Sequence, residues 1–162
     1  TENKGYAEGV DIEKDVLKMA VIERHRNTGH IGLGYLSGYG LKVGAVATSV
    51  AHDSHNIICV GANDADMAFA ANRIAENHGG IVVVQDGEVI AELQLEIAGL
   101  MTNQNLISVN EQLEHAKEAA YTLGVRKDID PFMTLSFMSL PVIPTLRLTT
   151  RGVVDVLTQQ YV

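Results

Sequence analysis

Apolar positions change period several times along this chain. Ile12, Val16, Met19 and Ala20 recur at three- and four-residue spacing, with Glu23 next on the same stripe. This spacing predicts a helix capped by Asp11 and closed near Arg24-His25-Arg26, where cations suit the negative end of the helix dipole. After a turn at Asn27-Thr28-Gly29, the residues Ile31, Leu33 and Tyr35 alternate with Gly32 and Gly34. The alternation predicts a strand whose glycine face is approached closely by backbone or ligand. Two β-branched runs follow, Val43 to Val50 and Ile57 to Val60, the second reading as a buried strand. Asn63-Asp64 then caps a helix with Met67, Ala70, Ala71, Ile74 and Ala75 on one face, ending at Asn77-His78-Gly79.

The second half is more regular. Ile81 to Val84 reads as a strand and Asp86-Gly87 as a hairpin turn. In the returning strand, Val89, Ala91, Leu93, Leu95 and Ile97 alternate with Ile90, Glu92, Gln94 and Glu96. Gly99-Leu100-Met101 is expected to pack, with Met101 and Met133 filling gaps. Ser108 and Glu111 have the spacing of a capping box for a helix that turns Val109, Leu113, Ala116, Ala120 and Leu123 inward and stops at Gly124. Asp128 to Pro131 reads as a loop entering the core, and Phe132 to Leu140 suits either helix or strand. Leu146 and Leu148 suggest an edge strand, Thr149 to Gly152 a turn, and Val153 to Val162 a terminal strand or tail. Residues 1–10 are expected to form an arm or linker and residues 11–162 one domain. The fold class is α+β (mixed α/β), one mainly antiparallel or mixed sheet covered by helices.

Composition narrows the function classes. The 162 residues are 46% hydrophobic and 20% charged, as in an ordinary globular protein. A formal charge of -8 with no Lys/Arg-rich stretch argues against nucleic acid as a partner. No run approaches the length of a membrane-spanning helix, and Thr1-Glu2-Asn3-Lys4 does not open a signal peptide. A single cysteine, Cys59, excludes an internal disulfide and fits a reducing compartment, so a cytoplasmic location is expected. The absence of an initiator Met suggests a piece of a longer polypeptide.

Chemistry concentrates between the two β-branched runs, in Ser49-Val50-Ala51-His52-Asp53-Ser54-His55-Asn56. A plain turn needs only polarity and permissive backbone angles. Two histidines, a carboxylate and an amide are more than that. His52 and His55 are close enough in sequence to share a metal with Asp53 or to meet one ligand. The plainer alternative is a self-satisfied turn in which Asp53 and Ser54 bond local N–H groups. Gly38-Tyr39-Gly40-Leu41-Lys42-Val43-Gly44 has one residue too many for a dinucleotide fingerprint and leads into a strand, so it reads as a glycine-rich turn. Cys59 sits among Ile57, Ile58 and Val60 and is expected to be buried and inert. His30 reads as a strand-entry residue, and His25, His78 and His115 as helix-end or helix-surface residues.

Several segments in order resemble the C-terminal domain of bacterial adenine deaminase, of the amidohydrolase superfamily. They are Arg24-His25, the 38–44 turn, the 49–56 segment, Gly61-Ala62-Asn63-Asp64, Ile97-Ala98-Gly99-Leu100-Met101 and Asp130-Pro131-Phe132-Met133-Thr134-Leu135-Ser136-Phe137. The resemblance runs from about Asp11 to the end. It implies a parent hydrolase that converts adenine and water to hypoxanthine and ammonia in purine salvage. An N-terminal amidohydrolase barrel would hold a divalent metal centre of manganese or iron type, and a homo-oligomer is expected. This chain lacks the strand–helix series of a complete TIM barrel and any His-x-His opening. It therefore resembles the accessory domain alone, and it is expected to be inactive by itself. In that setting His52, Asp53, Ser54, His55 and Asn56 would contact substrate or the active-site mouth. Asp53 and Ser54 would shape the turn while His52, His55 and Asn56 reach outward. A structural or oligomerisation module, or a small metal-binding domain using His52 and His55, are the alternatives.

Overall fold

The computed structural model describes residues 8–162. Residues 1–7 of the expected arm lie outside the described residues, and Glu8 and Gly9 form a turn whose Glu8 carbonyl accepts from the Tyr35 hydroxyl at 3.2 Å. Six strands make the main sheet: β1 (Val16–Ile22), β2 (Ile31–Ser37), β3 (Ala45–Thr48), β4 (Ile57–Gly61), β5 (Gly80–Gln85) and β6 (Glu88–Gln94). Their order is β2-β1-β4-β3-β5-β6, with every neighbouring pair antiparallel. Helix α1 (Asp64–Glu76) lies between β4 and β5 in sequence, and α2 (Leu106–Thr122) and α3 (Pro131–Met138) follow β6. A small antiparallel sheet of β7 (Leu146–Thr149), β8 (Gly152–Asp155) and β9 (Gln160–Tyr161) ends the chain. The α+β expectation is met, with no closed barrel among the described residues.

The expected helix over 11–26 is instead a turn followed by β1. Asp11 and Val16 exchange backbone hydrogen bonds of 2.9 and 2.8 Å, and Asp15 is left-handed at φ 54° between them. β1 then runs between β2 and β4 and is apolar on both faces. Leu17, Met19 and Val21 join one core cluster, while Ala20 and Ile22 join the other. A strand buried on both faces loses its period of two, and the remaining apolar spacing imitates a helical stripe.

The first cluster fills the space between the sheet and α2 with α3, through Val46, Ile58, Val60, Val83 and Leu93 against Ala116, Ala120, Leu123, Phe132 and Leu135. The second packs Ala45, Ala47, Cys59, Val82 and Val84 against Met67, Ala70, Ala71 and Ile74 of α1. Helix α1 covers β3, β4 and β5, and on β2 the side chains of Ile31, Leu33 and Tyr35 remain 55–60% exposed. The glycine face of β2 is approached by backbone, as its alternation predicts: a Cβ on Gly32 would run into the Thr149 carbonyl.

One helix cap departs from expectation, and one segment left open between helix and strand is decided. Asn105, not Ser108, caps α2, its side chain accepting from Ser108 N at 3.0 Å. The ambiguous 132–140 segment is helical because Asp130 accepts from Phe132 N and Met133 N at 3.0 and 2.9 Å and Pro131 presets the first turn. The Asp86-Gly87 hairpin forms as expected, with both residues left-handed, and its strand alternation ends at Gln94. Met101 and Met133 are exposed and fill no gap in the core.

Candidate functional site

The turn leaves β3 through Ser49, which is buried and bonded on every side. Its N–H donates to the Gly80 carbonyl at 2.9 Å, its hydroxyl donates to the Gly99 carbonyl at 2.6 Å, and it accepts from Gly80 N at 2.8 Å. His55 N then donates to the Ala51 carbonyl at 2.6 Å, closing a single helical turn that ends with His55 left-handed at φ 48°. The loop is tight, and its side chains face different environments.

Asp53 and Ser54 form the exposed tip, His52 and His55 are half-buried, and Asn56 is 9% exposed. The plainer alternative, a self-satisfied turn in which the Asp53 and Ser54 side chains bond local N–H groups, finds no such bond of either side chain among the described residues, and Ser54 is engaged through its carbonyl. The bracing comes from outside the loop. Arg24 donates from Nε to the His55 carbonyl and from Nη2 to the Ala98 carbonyl, each at 2.6 Å. His25 Nε2 donates to the Ser54 carbonyl at 2.7 Å. Glu23 in turn holds the loop carrying both residues. It accepts from His25 N, Arg26 N, Thr28 N and the Thr28 hydroxyl at 2.6–3.1 Å. Those donors, Thr28 N first, bring its carboxyl down to about 2. Sequence reasoning placed Arg24-His25 at a helix end and missed this role; the family-like Arg24-His25 pair was its only signal.

His52 stacks on Phe137 of α3 with centroids 5.8 Å apart, and its ring lies 6.2 Å from that of His55 at a steep angle. Burial first, then the neighbouring His52 and Arg24, push the His55 imidazole below its ordinary value, so the neutral ring is favoured. Asn56 turns inward, contrary to the expectation that it reaches outward. Its Oδ1 has no partner, and neither do His55 Nδ1, Ser136 Oγ of α3 and Ser139 Oγ just beyond it. Four of the five buried side-chain atoms lacking partners among the described residues thus belong to the turn or to the α3 end beside it. Native structures leave few such atoms, and each costs about 1–3 kcal/mol.

Asn56 and Ser139 line one cavity of about 390 Å³ with Asp53, Ser54, Leu140, Pro141, Val142 and Thr150. Beside it, sharing Ser54, Asn56 and Thr150, a second hollow of about 370 Å³ is rimmed by His25, His30 and Arg151. No group of three His, Cys, Asp or Glu side chains is placed to hold a metal ion among the described residues. The three-ligand use of His52, Asp53 and His55 therefore has no geometric support within the chain.

The other candidates fall elsewhere. Cys59 is fully buried, and burial pushes its thiol up strongly. The 38–44 segment uses its backbone on the protein itself: Gly40 N donates to Asp15 Oδ1 at 2.8 Å and Lys42 N to the Leu123 carbonyl at 2.8 Å. His78 follows α1 and His115 lies on α2, both exposed. No helix among the described residues is long and apolar enough to cross a membrane.

The family model described as "Adenine deaminase C-terminal domain" matches residues 1–160. An adenine deaminase of Brucella abortus is 53% identical over 146 residues, 90% of this chain and 25% of that protein. Adenine deaminase 1 of Rhizobium meliloti is 49% identical over 153 residues, 94% of this chain and 27% of that protein. Adenine deaminase 2 of Carboxydothermus hydrogenoformans is 51% identical over 146 residues, 90% and 26% respectively. The chain spans about a quarter of the length of the curated relatives it matches.

Proposed function

The chain belongs to the adenine deaminase C-terminal domain family, and from that premise we propose that it is the accessory domain of an adenine deaminase. In this reading it sets the His52–Asn56 turn at the mouth of an active site borne by a separate N-terminal barrel. The whole enzyme converts adenine and water to hypoxanthine and ammonia. The observation that carries the reading is the gathering of unpaired buried polar atoms at His55, Asn56, Ser136 and Ser139, because such atoms await a partner.

A manganese or iron centre belongs to the barrel in this reading. Among the described residues no group of three His, Cys, Asp or Glu side chains is placed to hold a metal ion, so no step is routed through one. The chain's own contribution is positioning. Arg24 and His25 fix the turn's carbonyls, Phe137 holds the His52 ring, and the neutral His55 offers a ring nitrogen to donate or accept. A closed, oriented mouth excludes water and aligns the reacting groups, which can change rates about a hundredfold for small displacements.

In an enzyme carrying this chain, His52→Ala and His55→Ala are expected to lower kcat/KM for adenine by about ten- to a hundredfold with the oligomer intact. Unchanged kinetics in both variants would sink the active-site reading. The isolated chain is expected to turn over no adenine when Mn²⁺ or Fe²⁺ is supplied; deamination by a preparation freed of contaminating enzyme contradicts that. One observation favours a second, structural reading in which the domain completes an oligomer or covers the barrel. It is the exposed row of Ile31, Leu33 and Tyr35 on β2. Light scattering separates the two, since stable self-association of the lone chain supports the structural one.

A further inference from the structure

We propose that the hollow between the 25–30 loop, the tip of the 52–55 turn and the β7–β8 turn binds a phosphate group, either free inorganic phosphate or the phosphate of a small monoester. The hollow measures about 370 Å³ and is lined by this chain alone, so the barrel is not required.

The arginines carry the inference. The sequence contains six. Arg73 and Arg126 pair with Glu92 and Asp128, and Arg24 and Arg147 donate to backbone carbonyls. The guanidinium groups of Arg26 and Arg151 have no such partner among the described residues; only the backbone N–H groups of the two donate, to Glu23 and to Thr149 Oγ1. These same two arginines line one hollow, although they come from opposite ends of the described chain. Like charges gathered without a bonded carboxylate repel, and an anion seated between them removes that cost. Glu23 is the one carboxylate in the lining, and its oxygens are already taken by His25 N, Arg26 N, Thr28 N and the Thr28 hydroxyl. Arg26, His30 and Arg151 are all exposed, so their donors meet the open space a ligand would enter.

The donor set suits phosphate better than carboxylate. Each guanidinium fork can give a pair of parallel N–H bonds, and Thr150 Oγ and the His30 ring, neither bonded among the described residues, add one each. About six donors exceed what the two oxygens of a carboxylate accept and fit the three or four oxygens of a phosphate. A nucleic-acid strand is disfavoured, because the chain as a whole carries a formal charge of -8. Ser54 and Asn56 also line the hollow, which sets a bound phosphate against the turn that His25 braces.

The test is an ¹⁵N–¹H NMR titration of the 162-residue chain with inorganic phosphate and with ribose 5-phosphate, at a fixed ionic strength of about 0.1 M so that general screening stays constant. Acetate is the control anion. Saturable shifts are expected at residues 25–30, 54 and 150–151, with a Kd of about 0.1–3 mM. Tighter binding of ribose 5-phosphate supports the site as one for a monoester, and equal or weaker binding supports it as one for the free ion. Acetate should bind at least about fivefold more weakly. Arg26→Ala and Arg151→Ala should each weaken phosphate about five- to twentyfold. Arg151→Lys should recover only part of that, because a point charge replaces the fork. The proposal is overturned if phosphate gives no saturable shift up to about 20 mM, if the shifts centre elsewhere, or if acetate binds as tightly. Those readouts need only the parent chain, whatever the variants do to folding. It is equally overturned if a folded Arg26→Ala or Arg151→Ala chain binds phosphate with unchanged affinity. None of these outcomes depends on the His52 and His55 kinetics, so the two readings fail separately.

Discussion

Arg24 connects two carbonyls, of His55 and Ala98, that lie far apart in sequence. Removing its guanidinium strands both acceptors, so Arg24→Ala should cost about 1.5–3 kcal/mol in urea unfolding. Arg24→Lys should recover part of that, because a single ammonium lacks the fork that spans both acceptors. A loss below about 0.5 kcal/mol in Arg24→Ala would mean that the turn holds itself. His55 makes a prediction in pH. Its folded value lies below the ordinary 6.5, so in the window below 6.5 the unfolded chain binds the proton more readily. Stability therefore rises with pH through that window and falls on acidification. Urea midpoints measured across it should show a shallower slope for His55→Gln than for the parent. Cys59, fully buried with its thiol pushed up, should react with a thiol reagent only at the rate of unfolding.

Elements are held by a few polar anchors between them. Buried Asp66 of α1 accepts from Gly87 N at 2.8 Å, Asp86 N at 3.3 Å and Asn63 Nδ2 at 2.8 Å, fastening the β5–β6 hairpin turn to the start of the helix. Asp66→Ala leaves these donors short of an acceptor and should destabilise by about 2–3 kcal/mol, read from the denaturant midpoint. Gly32 tests the seat of the small sheet. Its backbone is not left-handed, so Gly32→Ala acts through the Thr149 carbonyl alone and should cost about 1–3 kcal/mol. A neutral effect would show that β7 and β8 can lift off β2. The hairpin and α1 were legible in sequence because local signals and tertiary packing agree there. β1 was not, since its spacing reflects two cores at once, and the Ser108 box yielded to Asn105 because both are competent caps and only the packed helix chooses between them.

Across the molecule, the six-stranded sheet is unequally covered. Helices α2 and α3 lie on one face, while α1 covers only β3 to β5 on the other, leaving Ile31, Leu33 and Tyr35 in contact with solvent. Because these side chains contribute little to the core, Leu33→Lys should shift stability by no more than about 0.5 kcal/mol. The same change should lower the fluorescence of a bound hydrophobic dye. Dye binding that persists unchanged would place the apolar surface elsewhere.

The sequence by itself determined the α+β class, the hairpin, the α1 and α2 helices, the burial of Cys59, the close approach to the β2 glycines and the family. Each rests on residues near one another in the chain, or on motifs that keep their order. Tertiary structure decided that 16–22 is a central strand, that Asn56 faces inward, and that Arg24 braces the turn. It also decided that Ser139 and Thr150 meet Asn56 around one cavity. Those outcomes depend on contacts between residues about 30 to 95 positions apart, where one-dimensional periodicity carries no information and only packing and hydrogen-bond satisfaction select the partner.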